Sequence, residues 1–229
     1  MLSDGRKFAN NGRVGGEIYT GSEEELIPVM YECSDLCSCP PTCKNRIGKG
    51  EQIKGLEVFR TPGMGWGVRT TQPIKKGTFI AKYAGETINN SEADKHEDTC
   101  KSPGFFRVIR TAIHRIIFNP DELIFTLDLF DISINNGREF TFCIDAHRFG
   151  NFARFFNHLC EPNIIPLRMF RDHQDFRLPT LGFFARRDID VGEELGFNYG
   201  ARFWDVKFKA GIECKCGKST CKFSTRNDK

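Results

Sequence analysis

From Leu56 to Ile88 short apolar runs alternate with glycine and proline, in LEVFRTPGMGWGVRTTQPIKKGTFIAKYAGETI. Runs of this length, punctuated by turn residues, predict short strands joined by tight turns. From Leu123 the segment LIFTLDLFDISI alternates apolar and polar positions. Its phase slips at Leu129–Phe130, which predicts a β-bulge. Asn136–Gly137 predicts a type I′ turn into REFTFCIDA, which alternates again and closes a hairpin. LGFFARRDIDVGEELGFNYG repeats the order strand, turn, strand. One segment has a different period. In PGFFRVIRTAIHRIIFNP, residues Phe105, Phe106, Ile109, Ala112, Ile113, Ile116 and Ile117 share one helical face, with Arg107, Arg110, His114 and Arg115 largely opposite. A helix packed on the domain is the plain reading, and a membrane surface or a partner is a lesser alternative for a basic amphipathic helix. Ser91–Thr99, SEADKHEDT, predicts a short polar surface helix, and residues 1–30 an extended arm or loop. The fold class expected is mainly β.

Composition narrows the function. Apolar residues make up 39% of the 229, with 22 phenylalanines, enough to fill a core and too many for a disordered chain. A net charge of +3 makes no case for a general polyanion binder, and no direct sequence-specific binding of nucleic acid is expected. The opening residues MLSDGRK carry no apolar run, so no signal peptide is expected. No uninterrupted apolar stretch reaches the roughly 18 residues of a membrane span, and no membrane role is expected. The chain therefore reads as intracellular, where thiols stay reduced. Ten cysteines in such a chain point to metal rather than disulfides.

Two cysteine clusters stand out. Cys33, Cys37, Cys39 and Cys43 lie within CSDLCSCPPTC, and four thiols can hold one zinc ion. Near the C-terminus, ECKCGKSTCKF supplies Cys214, Cys216 and Cys221, one ligand short of a tetrahedron. The other cysteines are Cys100, Cys143 and Cys160. Cys143 alternates with Phe142 and Ile144 as a small core residue would. Cys160, in the polar, turn-like RFFNHLCEPN, is the best fourth ligand. A zinc ion on Cys160, Cys214, Cys216 and Cys221 would order a tail that is otherwise free.

GMGWGV, YAGE, NHLCEPN, EELGFNYG and the C-x-C-x-x-x-x-C tail, in this order along the chain, resemble a SET domain with its post-SET segment. The SET family comprises protein lysine methyltransferases that use S-adenosylmethionine. CSCPPTCKNR resembles the end of the pre-SET motif, and GARFWD the post-SET linker, of the euchromatic histone H3 lysine 9 branch. The resemblance covers residues 31–223. It implies a partial pre-SET over 31–46, a SET domain over 54–200, a post-SET segment over 201–223, and a SET fold of small curved sheets with a pseudoknot-like threaded segment. It also implies the fourth zinc ligand chosen above, Cys160.

Methyl transfer to an amine needs a neutral amine, in-line geometry and a dry channel. A free lysine, with a pKa near 10.4, must first lose a proton, and an apolar channel favours that. The resemblance implies Tyr199 as the catalytic tyrosine, with Tyr83 and Phe197 lining the lysine channel. Phe197, lacking the hydroxyl that a tyrosine would bring, implies di- or trimethylation. For the cofactor it implies Met64 and Trp66, then Arg154, Asn157 and His158, with Phe203 and Trp204 as a cover. Gly63, Gly65 and Gly67 would let backbone approach the ligand. A basic histone tail suits an acidic groove, for which Asp94, Asp98 and Asp128 are the candidates.

The chain departs from the family in three ways. Of the family's longer pre-SET cysteine series only the last four are present. The connection after SEADKHEDT is much longer, with an insertion near 100–121 that holds the amphipathic segment. Phe125 in FTLDL stands where the family has a cofactor-contacting tyrosine. The expectation is a histone H3 lysine 9 methyltransferase of the nucleus and chromosome, with zinc and S-adenosylmethionine, acting on the histone H3 tail alone or as a homo- or heterodimer with another SET protein. The alternative is a non-catalytic SET-fold module that binds chromatin or a partner.

Overall fold

The computed structural model describes residues 8–9, 13–14, 29–43, 45–47, 53–62, 64–89, 142–146, 148–170, 180–200, 203–204, 207, 211–221 and 223–224. Its strands are β1 (Phe8–Ala9), β2 (Arg13–Val14), β3 (Val29–Tyr31), β4 (Leu56–Thr61), β5 (Gly65–Thr70), β6 (Phe79–Lys82), β7 (Glu86–Asn89), β8 (Phe142–Asp145), β9 (Asn157–His158), β10 (Ile164–Phe170), β11 (Thr180–Ala185) and β12 (Gly196–Phe197). A short 3-10 helix covers Phe152–Phe155. The mainly β class expected from the patterning is what is observed, and among the described residues no helix is long and apolar enough to cross a membrane.

The chain divides into two compact units. The first comprises Met1–Tyr83, Phe155–Gln174 and Thr180–Lys229, the second Ala84–Arg154 and Asp175–Pro179. The first unit is built on a four-stranded sheet in the order β3-β10-β11-β6. β10 runs antiparallel to β11 from Ile164↔Ala185 to Met169↔Thr180, and parallel to β3. Pro166 fits inside β10 because β3 reaches only Arg168–Phe170. Among the described residues no strand lies beside Pro166 on that edge, so no N–H is owed there.

Met30, Phe79, Leu167, Met169 and Phe184 form the buried cluster of this sheet, with Ile47 and Ile165 packed against it. Each such side chain contributes about 1.5–3 kcal/mol on burial. Gly182 leaves room there for the Met169 thioether, which a Cβ would push aside.

Of the GMGWGV glycines, Gly65 and Gly67 belong to β5 in the β4–β5 hairpin, whose register runs from Leu56↔Thr70 to Thr61↔Gly65. Gly65 turns the chain with φ +78°. Gly67 is small because of the protein's own side chains: a Cβ there would lie 2.6 Å from Thr61 Cγ2 and 2.7 Å from Glu194 Oε1. Gly63 lies outside the described residues.

LGFFARRDIDVGEELGFNYG does form strand, turn and strand, yet β11 and β12 do not pair with each other. β12 instead pairs in parallel with β9, Gly196↔Asn157 and Phe197↔His158. Asn163 locks this arrangement. Its Nδ2 donates to Glu194 O at 2.8 Å, and its Oδ1 accepts from Gly196 N at 3.0 Å. Leu195 N donates to Val68 O at 2.7 Å, tying the same segment to β5.

In the second unit β7 and β8 pair antiparallel from Glu86↔Asp145 to Asn89↔Phe142. REFTFCIDA therefore yields a strand as expected. The amphipathic segment, the bulged strand from Leu123, the Asn136–Gly137 turn and the Ser91–Thr99 helix all lie outside the described residues. So do Asp94, Asp98, Asp128 and Phe125.

Candidate active site

Tyr199 follows β12, and its hydroxyl donates to Phe156 O at 2.6 Å. The residue is 5% exposed. Burial, reinforced by Tyr83 and Glu194, pushes its pKa well above the ordinary tyrosine value. Tyr199 therefore keeps its proton near neutral pH, and its hydroxyl is a fixed dipole.

A chain of aromatic rings runs through Tyr199. Phe156 and Tyr83 both pack on Phe183, at 5.0 and 6.4 Å between centroids. Phe183 meets Phe197 at 5.1 Å, and Phe197 meets Tyr199 at 4.8 Å. Beyond Tyr199 the chain continues to Phe203 at 5.0 Å, from there to Trp204 at 5.0 Å, and to Phe223, stacked on Trp204 at 5.4 Å and 16°. The three residues expected to shape the lysine channel, Tyr83, Phe197 and Tyr199, are thus brought into one wall, joined through Phe183. Apolar aromatic walls exclude water and attract cations such as a sulfonium or an ammonium.

His158 sits inside the same wall. Its ring lies 4.8 Å from Trp204 and 5.5 Å from Tyr199. Its Nδ1 accepts the Tyr199 N–H at 3.1 Å, and its Nε2 lies 3.3 Å from Cys160 Sγ. An acceptor at Nδ1 leaves the proton on Nε2. Burial lowers the pKa of His158 to about 4, so the ring is neutral.

Asn157 donates from Nδ2 to Trp66 O at 3.0 Å and to Glu194 Oε1 at 2.7 Å. It thereby fixes the GMGWGV turn to β9. Sequence reasoning missed Glu194. Burial raises its carboxyl pKa, against the opposing pull of the Asn157 amide. A signal was present: side chains alternate along an extended chain, so one of the two neighbouring acids Glu193 and Glu194 must turn inward. Glu193 faces outward to Arg187 at 2.6 Å.

Met64 is half-buried and Trp66 is 44% exposed, with the Arg60 guanidinium 4.6 Å from its ring centre. Arg154 belongs to the second unit. Trp204 Nε1 is buried with no hydrogen-bond partner among the described residues. A buried donor calls for an acceptor, and an unfilled one in an aromatic wall fits a bound ligand. Trp204, Phe203, His158 and Asn157 accordingly suit the polar, cationic cofactor that the sequence implies.

The four C-terminal ligands come together. The Sγ atoms of Cys160, Cys214, Cys216 and Cys221 all lie within 4.8 Å of one another, with Cys160 at 3.5 Å from Cys221 and 3.9 Å from Cys214. Tetrahedral zinc with bonds of about 2.3 Å sets its sulfurs about 3.8 Å apart, so the cluster fits the ion. None of the four is in a disulfide. Burial and neighbouring thiols push the Cys214 thiol up to about 12, a state that a divalent cation inverts by binding thiolates. Outside the cluster, Glu161 accepts from Thr220 at 2.8 Å and pairs with Lys218 at 3.2 Å, clamping the tail.

In the N-terminal cluster the structure unites Cys33, Cys39 and Cys43 but not Cys37, which is exposed. Asn45 Nδ2 donates to Cys33 Sγ at 3.4 Å and pulls that thiol down, yet burial and the neighbours Cys39 and Cys43 carry it up to about 11.

The SET domain family model matches residues 65–200. The chain is 42% identical over 198 residues to histone-lysine N-methyltransferase EHMT1 of Mus musculus, covering 86% of this chain and 13% of that protein. The crystal structure of Arabidopsis thaliana SUVH6 in complex with SAM superposes with a TM-score of 0.67 at 30% identity, over 94% of this chain and 40% of that one. A structure of KRYPTONITE with methylated DNA, an H3(1-15) peptide and SAH gives a TM-score of 0.58 at 30% identity, over 85% of this chain and 34% of that one. The chain thus spans well under half the length of these proteins.

Proposed function

The chain belongs to the SET-domain family, and on that premise we propose that it is a histone-lysine N-methyltransferase acting on lysine 9 of the histone H3 tail in chromatin. S-adenosylmethionine, when bound, supplies an electrophilic methyl group on a sulfonium sulfur. Trp204, Phe203, His158 and Asn157 would hold it. Tyr83, Phe197 and Tyr199 would form the wall along which the acceptor lysine enters, desolvated and neutral. The zinc ion on Cys160, Cys214, Cys216 and Cys221 would fasten the tail that brings Phe223 onto Trp204.

The observation that carries this reading is the fixed hydroxyl of Tyr199, bonded to Phe156 O at 2.6 Å within a continuous aromatic wall. Such a prearranged dipole needs no reorganisation when charge shifts during transfer. Lysine 9 as the target rests on the CSCPPTCKNR and GARFWD motifs of the H3 lysine 9 branch, and an H3 substrate is supported by the peptide held by KRYPTONITE. Phe197 supports di- or trimethylation, since a phenyl ring binds no water at that position.

The test is mass spectrometry of an H3 tail peptide after incubation with the chain and S-adenosylmethionine, with Tyr199→Phe alongside. Methylation at lysine 9 that falls by about 100-fold or more in the variant is expected, on the scale of removing one preorganised dipole from a transition state. An unmethylated peptide overturns the activity. A product that stops at monomethyl-lysine after exhaustive reaction overturns the Phe197 reading.

A further inference from the structure

One side chain touches both the sulfur cluster and the methyl-transfer tyrosine. His158 places Nε2 at 3.3 Å from Cys160 Sγ, and its Nδ1 accepts the Tyr199 backbone N–H at 3.1 Å. The ring is 5% exposed and is hemmed in by Tyr199, Trp204 and Phe223, at 5.5, 4.8 and 6.4 Å. It also stands in β9 directly opposite Phe197 of β12. With Tyr199 on one nitrogen, the other must present its proton to the sulfur.

We propose that His158 is a positioning residue that joins the zinc centre to Tyr199, so that the metal on Cys160 sets the backbone of the catalytic tyrosine. A zinc-bound sulfur is a thiolate, and an N–H donated to it is charge-assisted and stronger than one to a neutral group. Groups that bond to a ligand from outside the coordination sphere fix its orientation and tune the metal. Here that outer partner is itself held by Tyr199, and the effect runs both ways. Zinc holds the imidazole, the imidazole holds the Tyr199 N–H, and the Tyr199 hydroxyl stays on Phe156 O. The inference rests on the zinc reading of the C-terminal cluster and is independent of methyl transfer.

Two substitutions separate the two bonds. His158→Asn keeps an acceptor near the Nδ1 position but no longer reaches the sulfur. His158→Gln keeps a donor near the Nε2 position but loses the acceptor for Tyr199. The full chain is labelled with 15N-tyrosine, which gives at most four backbone amide signals, one per tyrosine. Tyr199 is assigned through Tyr199→Phe. Zinc affinity is read by competition with a chromophoric chelator.

In the zinc-loaded wild-type chain, removal of zinc should move the Tyr199 amide proton upfield as its hydrogen bond weakens. His158→Asn should bind zinc about 10–100-fold more weakly, the usual range for losing an outer-shell partner. Its Tyr199 amide should no longer respond to zinc. His158→Gln should hold zinc nearly as well as wild type while its Tyr199 amide is displaced throughout. A wild-type Tyr199 amide that ignores zinc removal overturns the link, whatever the variants do. So does a His158→Asn chain that holds zinc as tightly as wild type. A wild-type chain that binds no zinc at Cys160 overturns the zinc reading itself, a distinguishable result.

Discussion

The first unit holds two groups of thiols that look alike along the sequence and differ in space. At the C-terminal end four sulfurs converge, two of their residues buried, and one ligand, Cys160, comes from two residues past β9. At the N-terminal end three converge, none fully buried, while Cys37 stays exposed. The surroundings differ too. Cys160 faces a neutral imidazole, which itself packs on the stacked pair of Trp204 and Phe223. Cys39 faces the Arg46 guanidinium, with Nη2 at 3.7 Å from its sulfur and 3.3 Å from its carbonyl. The first is a closed set of four beside the aromatic wall. The second, among the described residues, is an open set of three with a cation leaning on it. A ligand from far along the chain completes the first, whereas of the four cysteines within eleven residues of one loop only three converge.

The largest effect that would sharpen this contrast comes from paired serines. Cys160→Ser should release one equivalent of zinc and lower methyl transfer more than about 100-fold, beyond the range of outer-shell changes. Cys37→Ser should leave metal content unchanged and stability within about 0.5 kcal/mol, as for ordinary surface substitutions. Metal analysis and a peptide methylation assay read both. Equal metal loss from the two variants would erase the distinction.

Next in size is the order of metal release. A chelator can enter an open coordination position but must displace a ligand from a closed one. Zinc bound by Cys33, Cys39 and Cys43 should therefore leave first, and zinc on the C-terminal set later, giving two phases with a chromophoric chelator. One phase of two equivalents would break the comparison.

A smaller effect tests whether the closed set is truly joined to the wall. Phe223 accepts the Cys214 N–H through its carbonyl at 2.7 Å and stacks its ring on Trp204. Phe223→Ala removes the ring and leaves the backbone bond. Zinc content should stay unchanged while affinity for S-adenosylmethionine, measured by calorimetry, falls about tenfold, or about 1.4 kcal/mol, within the range of an aromatic pair. Unchanged affinity would mean that knuckle and wall are merely adjacent.

What was legible in the sequence follows the same divide. Cys214, Cys216 and Cys221 announce themselves by spacing, and Cys160 stands out because Cys143 has a strand phase to explain it. The aromatics of EELGFNYG and ARFWD were legible only through family motifs, because period alone assigns them to a core. The partnership of three N-terminal cysteines was illegible: their spacing says nothing of which way Cys37 turns. The parallel β9–β12 pair was hidden for another reason. Each strand is two residues long, too short for any period. Alternation says that one of Glu193 and Glu194 turns inward, but the partner, Asn157, lies 37 residues away and nothing local names it.

The smallest effect concerns the charged groups that flank each set. Glu161 clamps the C-terminal tail through Thr220 and Lys218, and Asp35 pairs with Arg46 at 2.6 Å beside the N-terminal set. Both acids lie at the surface, with the Asp35 side chain fully exposed, so solvent screens both pairs and neither should contribute much to stability. Their consequences should nevertheless differ. Thr220 immediately precedes a zinc ligand, so Glu161→Ala should speed zinc release from the C-terminal set and leave the N-terminal phase alone. Asp35→Ala removes the acid that shares Arg46 with Cys39, so the guanidinium should hold that thiolate more firmly, as an outer partner does. The fast phase should then slow and the slow one stay put. Salt should mute both changes, because exposed pairs are screened. If Glu161→Ala altered the fast phase instead, the two sets would be communicating, and the picture of one closed and one open cluster, each governed by its own neighbours, would fall.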